Sequence, residues 1–415
     1  MALPSVLDRD IVNPRIYAVQ QDYHALFSQL RREDPVRWTK PDGYEPFWTV
    51  SKYADIVEIE RQNTLFINEP RLNMRPREAA AVLAARLGQQ KPIRMIVDMD
   101  EPDHRKYRAL TQSWFLPSNL KQIDETIKEI TKEYVDRLGE LGGACDFVRD
   151  VAVWFPLRVI MLLLGVPRED GLLLLRLTQQ TFGAEDPDVA EQADFKAARA
   201  QAFAEFVDYF NVLLAKRRRE PRDDLASLIA NAQIDGKPIP DREALSYYIV
   251  IATAGHDTTS ATAAGGLLAL IENPQEMVKL RADPALLPRA IEEMIRWVTP
   301  VKHFGRTAVQ DYVLRGRQIK AGQSLMLCYP SANRDEDVFE NPFDFRVDRE
   351  PNKQLAFGIG VHQCLGLHLA RQELRAFFAE FLSRVDDVRL AGEPAHVAGT
   401  FIAGLKRLPI QYRMK

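Results

Sequence analysis

The residues best suited to chemistry gather around a single thiol. Cys364 lies in Leu355-Ala-Phe-Gly-Ile-Gly-Val-His-Gln-Cys-Leu-Gly-Leu-His-Leu-Ala-Arg371. Gly358 and Gly360 let the backbone turn tightly and lie close against a flat ligand. Helix-forming sequence resumes at or just after Cys364. Free amides and the positive end of the helix dipole there would favour the thiolate, the form that binds metal. Taken alone, the stretch admits other readings. Cys364 could be a buried small hydrophobe, or part of a zinc site with His362 and His368, although no fourth ligand stands close by.

A second group lies in Ala254-Gly-His-Asp-Thr-Thr259. Gly255 and two β-branched residues are poor helix formers. The Thr258 hydroxyl is expected to bond the Ala254 carbonyl four residues back and to open a groove in a helix. The alternative is an Asp and a Thr facing solvent, against which the apolar surroundings argue. Further along, Glu293 and Arg296 are three apart and share a helix face, although Glu292 also reaches Arg296 at a spacing of four. His104 and Arg108 are one turn apart in Asp98-Met-Asp-Glu-Pro-Asp-His-Arg-Lys-Tyr-Arg108, and Arg306 follows in Phe304-Gly-Arg-Thr-Ala308. Singly, each would read as a solvated surface charge.

The elements that must position these groups are mainly helical. Segments 121–139, 196–218 and 241–272 carry helix formers with apolar residues recurring at three and four. In the first, Leu120, Ile123, Ile127 and Ile130 fall in register, followed by Tyr134 and Leu138. The third would be roughly 45 Å long, and apolar residues cover most of its circumference, which predicts burial. Val36-Arg-Trp-Thr39 and Phe47-Trp-Thr-Val50 flank a Pro41-Asp-Gly43 turn signal and predict a hairpin. Strand signals return around 310–328 and after 385. The chain is expected to be mainly α with a smaller β part.

Composition narrows the function classes. With 46% hydrophobic and 27% charged residues, the 415 residues describe an ordinary water-soluble globule large enough to enclose a cofactor. A net charge of −3 offers no basic footprint for nucleic acid. The three cysteines, Cys145, Cys328 and Cys364, are far apart and form no CxxC pair, so a reducing cytoplasm is expected. The N-terminus lacks the pattern of a signal peptide. The longest strongly apolar run, Val159 to Val166, is too short to span a bilayer.

Phe357-Gly358-x-Gly360-x-His362-x-Cys364-x-Gly366 resembles, residue for residue, the cysteine-pocket signature of cytochrome P450s. Ala254-Gly-His-Asp-Thr-Thr259 resembles their oxygen-activation segment, and Glu293-Met-Ile-Arg296 their Glu-x-x-Arg pair. The resemblance spans about residue 10 to the C-terminus and implies one P450 domain over residues 1–415. It also implies haem b (iron protoporphyrin IX) as cofactor and O2 as co-substrate. Cys364 would be the axial iron ligand, whose thiolate favours O–O cleavage. Ala254, Phe357, Gly358 and Gly366 would line the haem site. His104, Arg108, Arg306 and His362 would bind the two propionates. Asp257 and Thr258 would be the catalytic pair that governs proton delivery. Glu293, Arg296 and Arg349 would form a buried structural network.

Three stretches, Ile251 to Ser260, Pro300-Val-Lys-His-Phe304 and Tyr329 to Val338, are similar to the α-terpineol-hydroxylating branch of bacterial P450s. They imply a small apolar substrate, either a monoterpenoid or an alkyl-substituted aromatic such as p-cymene. Phe182, Ala254, Val301, Phe304, Phe401 and Ile402 would line its pocket. With no flavin or nicotinamide domain, electrons would come from NAD(P)H through a reductase and a [2Fe–2S] ferredoxin. The ferredoxin would dock on Arg105, Lys106, Lys353, Arg371 and Arg375, unless these form only a solvated face. A monomer with no membrane association is expected. The rivals are a peroxide-driven haem-thiolate enzyme and a non-catalytic haem-binding sensor, and the Asp257–Thr258 pair argues against both.

Overall fold

The computed structural model describes residues 7–81, 94–182, 186 and 195–415. The hairpin forms as expected. Strands β1 (Val36–Thr39) and β2 (Phe47–Val50) pair antiparallel, with Val36 opposite Val50 and Thr39 opposite Phe47. They join a five-stranded sheet with β3 (Phe66–Ile67), β5 (His303–Ala308) and β6 (Ser324–Cys328) in the order β1-β2-β6-β5-β3. The β2–β6 contact is parallel; the others are antiparallel. A smaller sheet orders β7 (Val385–Leu390), β8 (Pro409–Met414) and β4 (Ala144–Asp146). The strand signal near 310 is a short hairpin, Tyr312–Leu314 with Arg317–Ile319.

Helices supply most of the mass. After α1 (Gln20–Glu33), α2 (Tyr53–Glu60) and α3 (Asp103–Thr111) comes α4 (Asp124–Glu140), in which Ile127, Ile130, Tyr134 and Leu138 are buried. Residues 121–123 form a 3-10 turn rather than the first turn of α4. Then follow α5 (Trp154–Leu163), α6 (Gly171–Phe182) and α7 (Phe195–Arg219). Helix α8 runs unbroken from Asp241 to Glu272, buried on nearly every side. It packs against α5, α7, α9 (Leu287–Val298) and α10 (Leu367–Arg384), so it forms the axis of the main core.

Helix α9 ends unusually. Thr299, with φ +41°, stops it in the left-handed conformation. The last four carbonyls of a helix lack internal partners; here two buried cations supply them. Arg334 donates to Arg296 O and Trp297 O at 3.0 and 2.9 Å. Lys302 donates to Val298 O and Thr299 O at 3.0 and 2.9 Å. Negative dipole ends thus compensate cations that have no carboxylate partner among the described residues. Helix α9 also carries Glu293, which accepts both Arg296 Nη2 and Arg349 Nε, at 2.7 and 3.0 Å. The expected network is in place.

Candidate active site

The thiol loop is built by turns and a cap. Gly358 and Gly360 have φ of +61° and +73°, conformations that glycine adopts without strain. Gly360 has a second reason to be glycine: a Cβ there would lie 2.5 Å from the Glu60 carbonyl oxygen. A 3-10 turn at Gly360–His362 follows, and α10 begins at Leu367 with Gly366 at its cap. Between them, the Cys364 amide donates to Phe357 O at 2.9 Å.

Burial pushes the Cys364 thiol up, against the opposing pull of the Gly366 amide and the charges of Arg108 and Arg371. The amides and helix end therefore do not suffice alone to favour the thiolate. A coordinated metal cation deprotonates a thiol outright. His368 is exposed. Among the described residues no group of three or more His, Cys, Asp and Glu side chains could hold a metal, which disposes of the zinc reading.

The four residues expected at the propionates converge. The His104 and His362 rings lie 4.0 Å apart, and Arg108 donates to Gln363 O at 2.7 Å. Burial, with the charges of His104, Arg306 and Arg108, holds His362 down at about 2. His104 Nδ1 is buried with no hydrogen-bond partner. A cluster of cationic and donor groups holding an unpartnered buried nitrogen is chemically suited to carboxylates. The residues present thus fit a haem.

Within α8, Thr258 donates its hydroxyl to Ala254 O at 2.8 Å, as its sequence context predicts. The helix continues through that bond without interruption. Ala254 is exposed and Asp257 and Thr258 are half-buried, whereas their neighbours Thr253, His256 and Thr259 are buried. Asp257 Oδ1 lies 3.1 Å from His256 Nδ1, yet neither His256 ring nitrogen makes a well-aligned hydrogen bond.

Four of the six expected pocket residues form one apolar wall. Val301 bridges Ile402, and the Phe304 and Phe401 rings meet edge to face with centroids 5.4 Å apart. Ala254 lies on α8; the side chain of Phe182 falls outside the described residues.

Of the two glutamates within reach of Arg296, Glu293 is its partner, as the resemblance implies, and Glu292 takes Arg371, at 2.5 Å. Arg371 also stacks 4.8 Å over the Phe357 ring, so it braces the thiol loop and is not a free docking charge. Lys106 and Arg105 are exposed but paired with Asp235 and Glu101. Lys353 and Arg375 are exposed. Sequence reasoning missed Glu60, which reaches Arg306, Tyr329 and the thiol loop together. Nothing local in its sequence marks it.

The chain is mainly helical with a smaller sheet part, and its cysteine loop leads into α10, which packs against the long central helix α8. Comparison with known proteins fixes the family. The family model described as cytochrome P450 matches residues 191–387. The chain is 41% identical to cytochrome P450-terp of a Pseudomonas species, over 99% of this chain and 98% of that one. Its structure is similar to that of CYP108D1 from Novosphingobium aromaticivorans (43% identity, TM-score 0.92, 99% of both chains). It is also similar to Mycobacterium marinum CYP268A2 in complex with pseudoionone (32% identity, TM-score 0.90, covering 99% of this chain and 100% of that one). The chain belongs to the cytochrome P450 family. It is a monooxygenase of that family, which uses haem b and dioxygen. Among the described residues no helix is long and apolar enough to cross a membrane.

Proposed function

We propose that this P450 hydroxylates a small apolar substrate, a monoterpenoid or an alkyl-substituted aromatic, with electrons from NAD(P)H delivered by a reductase and a [2Fe–2S] ferredoxin. The observation that carries the substrate class is the apolar wall of Val301, Phe304, Phe401 and Ile402. Such a wall binds by burying surface, at roughly 25 cal/mol per Å², and offers no charge to a polar ligand. The relationship to P450-terp supports the same class, as does the pseudoionone bound to the Mycobacterium marinum relative.

In this reading Cys364 ligates the iron. His104, Arg108, Arg306 and His362 hold the propionates, while Ala254, Phe357, Gly358 and Gly366 line the haem. When bound, the haem would supply the oxidising chemistry: with dioxygen, two electrons and two protons, one oxygen atom enters a C–H bond and the other leaves as water. The apolar wall orients the substrate and excludes water. Thr258, anchored on Ala254 O, keeps a hydroxyl at the helix surface, and half-buried Asp257 beside it passes protons inward from solvent. The protein works in the cytoplasm as a monomer.

The test has two parts. The reduced carbonyl complex should show the red-shifted absorption of a thiolate ligand, and Cys364→Ser should abolish it. Small terpenoids and alkylbenzenes should displace the ferric spectrum and yield hydroxylated product with NAD(P)H and redox partners. Product formed only with peroxide would overturn the electron route, and absence of a spectral response to both classes would overturn the substrate class.

A further inference from the structure

We propose that Glu60 is a positioning residue whose charge couples Arg306 to the cysteine loop and thereby sets the electrostatics at the haem edge. The inference rests on the reading above, in which Arg306 meets a propionate and Cys364 the iron.

Glu60 ends α2 and its side chain is 1% exposed. Its Oε1 accepts hydrogen bonds from Arg306 Nη2 at 2.9 Å and from the Tyr329 hydroxyl at 2.7 Å. Its Oε2 accepts from the Ile359 amide at 3.1 Å, within the thiol loop. Its backbone carbonyl occupies the space beside Gly360 that any larger residue would need. One carboxylate therefore ties together β5, the Tyr329–Ala332 turn and the loop that carries Cys364. Arg306 also donates to Gly305 O at 2.8 Å and is buried.

A buried ion pair is a poor device for stability, because desolvating both charges costs about as much as their attraction returns. Burial does push the Glu60 carboxyl up, against the charge of Arg306, the Tyr329 hydroxyl and the Ile359 amide. Apolar residues would pin the three segments as well. What a carboxylate adds is a negative charge 2.9 Å from the buried Arg306 guanidinium. It fixes where the Arg306 guanidinium points and offsets part of its field. That offset acts on any reaction that changes charge nearby, including reduction of ferric haem. Removing it should favour the ferrous state, since one added electron is better stabilised by an uncompensated cation.

Haem-loaded wild type, Glu60→Gln and Tyr329→Phe would be compared by anaerobic redox titration. Glu60→Gln keeps shape and a hydrogen-bond acceptor but loses the charge. At fixed applied potential it should raise the ferrous-to-ferric ratio about threefold or more, with the thiolate-type carbonyl spectrum retained. Tyr329→Phe removes one neutral hydrogen bond and should move the ratio by less than half as much. An unchanged potential in Glu60→Gln, or equal shifts in both variants, would overturn the proposal. If Glu60→Gln retains no haem, Glu60→Asp, which keeps the charge on a shorter side chain, decides. Retained haem with a near wild-type potential supports the role of the charge, and loss of haem with the charge still present reduces Glu60 to a structural pin and overturns the proposal. Arg306→Gln alone tests the underlying reading: haem transfer to an acceptor apoprotein at the wild-type rate would overturn the assignment of Arg306 itself.

Discussion

At the scale of single residues, the hydroxyl of Thr258 does two things. It satisfies the Ala254 carbonyl, and it places an alcohol beside Asp257 on the stretch of the central helix where Ala254 is exposed. Thr258→Ala should leave NAD(P)H oxidation running while hydroxylated product falls about tenfold or more, the remainder appearing as hydrogen peroxide. Coupled turnover in that variant would show that Thr258 moves no proton. The Thr258–Ala254 bond was legible in the sequence, as were the turns at Gly358 and Gly360, because each motif is local and its spacing reports its geometry. Glu60 was not legible. Its partners Arg306, Tyr329 and Ile359 lie far along the chain, and a helix-ending glutamate has no distinguishing neighbours. The bracing contacts of Arg371 were not legible for the same reason: only the fold brings Glu292 and the Phe357 ring to it.

At the scale of elements, α9 joins structure to site. Burial alone would raise the Glu293 carboxyl, yet Arg296 and Arg349 hold it below its ordinary value. Removing the charge with Glu293→Gln leaves two buried guanidinium groups uncompensated and should cost about 3–5 kcal/mol, read as a lower urea midpoint. The other end of α9 should respond to pH. Burial, with the charge of Arg334, pushes Lys302 down to about 7 from 10.5. Between those values the unfolded chain binds more protons than the folded one, so stability should rise with pH. The slope is at most about 1.4 kcal/mol per pH unit, and the destabilising cost is present in full below pH 7. Lys302→Met should lose this slope in denaturation at pH 7 and pH 9. Equal slopes would show that the ammonium is not titrating there. The periodicity of α8 was readable because 32 residues of apolar pattern outweigh local noise. The capping of α9 was not, since Lys302 and Arg334 become partners of its carbonyls only through the turn at Thr299 and the return of the chain after β6.

At the scale of the whole molecule, the face that carries the thiol loop is less uniformly basic than its sequence implies. Arg105, Lys106 and Arg371 each have a carboxylate partner, while Lys353 and Arg375 are exposed. Replacing Lys353 and Arg375 with Gln should therefore slow reduction by the ferredoxin and flatten its dependence on ionic strength. Arg371→Gln should chiefly lower thermal stability. The reverse outcome in stopped-flow reduction would return Arg371 to the docking surface. The hairpin and the main helices were foreseen, but β5 was not recognised as a strand. Its neighbour β3 comes from a distant part of the chain and a separate hairpin stands between β5 and β6, and such pairing leaves no local period to read.

The parallel seam between β2 and β6 sets Phe47 against Ser324. On a ribosome making about 5–20 residues per second, the second partner emerges roughly 15–55 s after the first. For that interval the nascent hairpin shows an open, apolar edge of the kind that recruits stray strands. Slower growth at low temperature and abundant chaperones should therefore govern the yield of soluble product more than any property of the finished molecule.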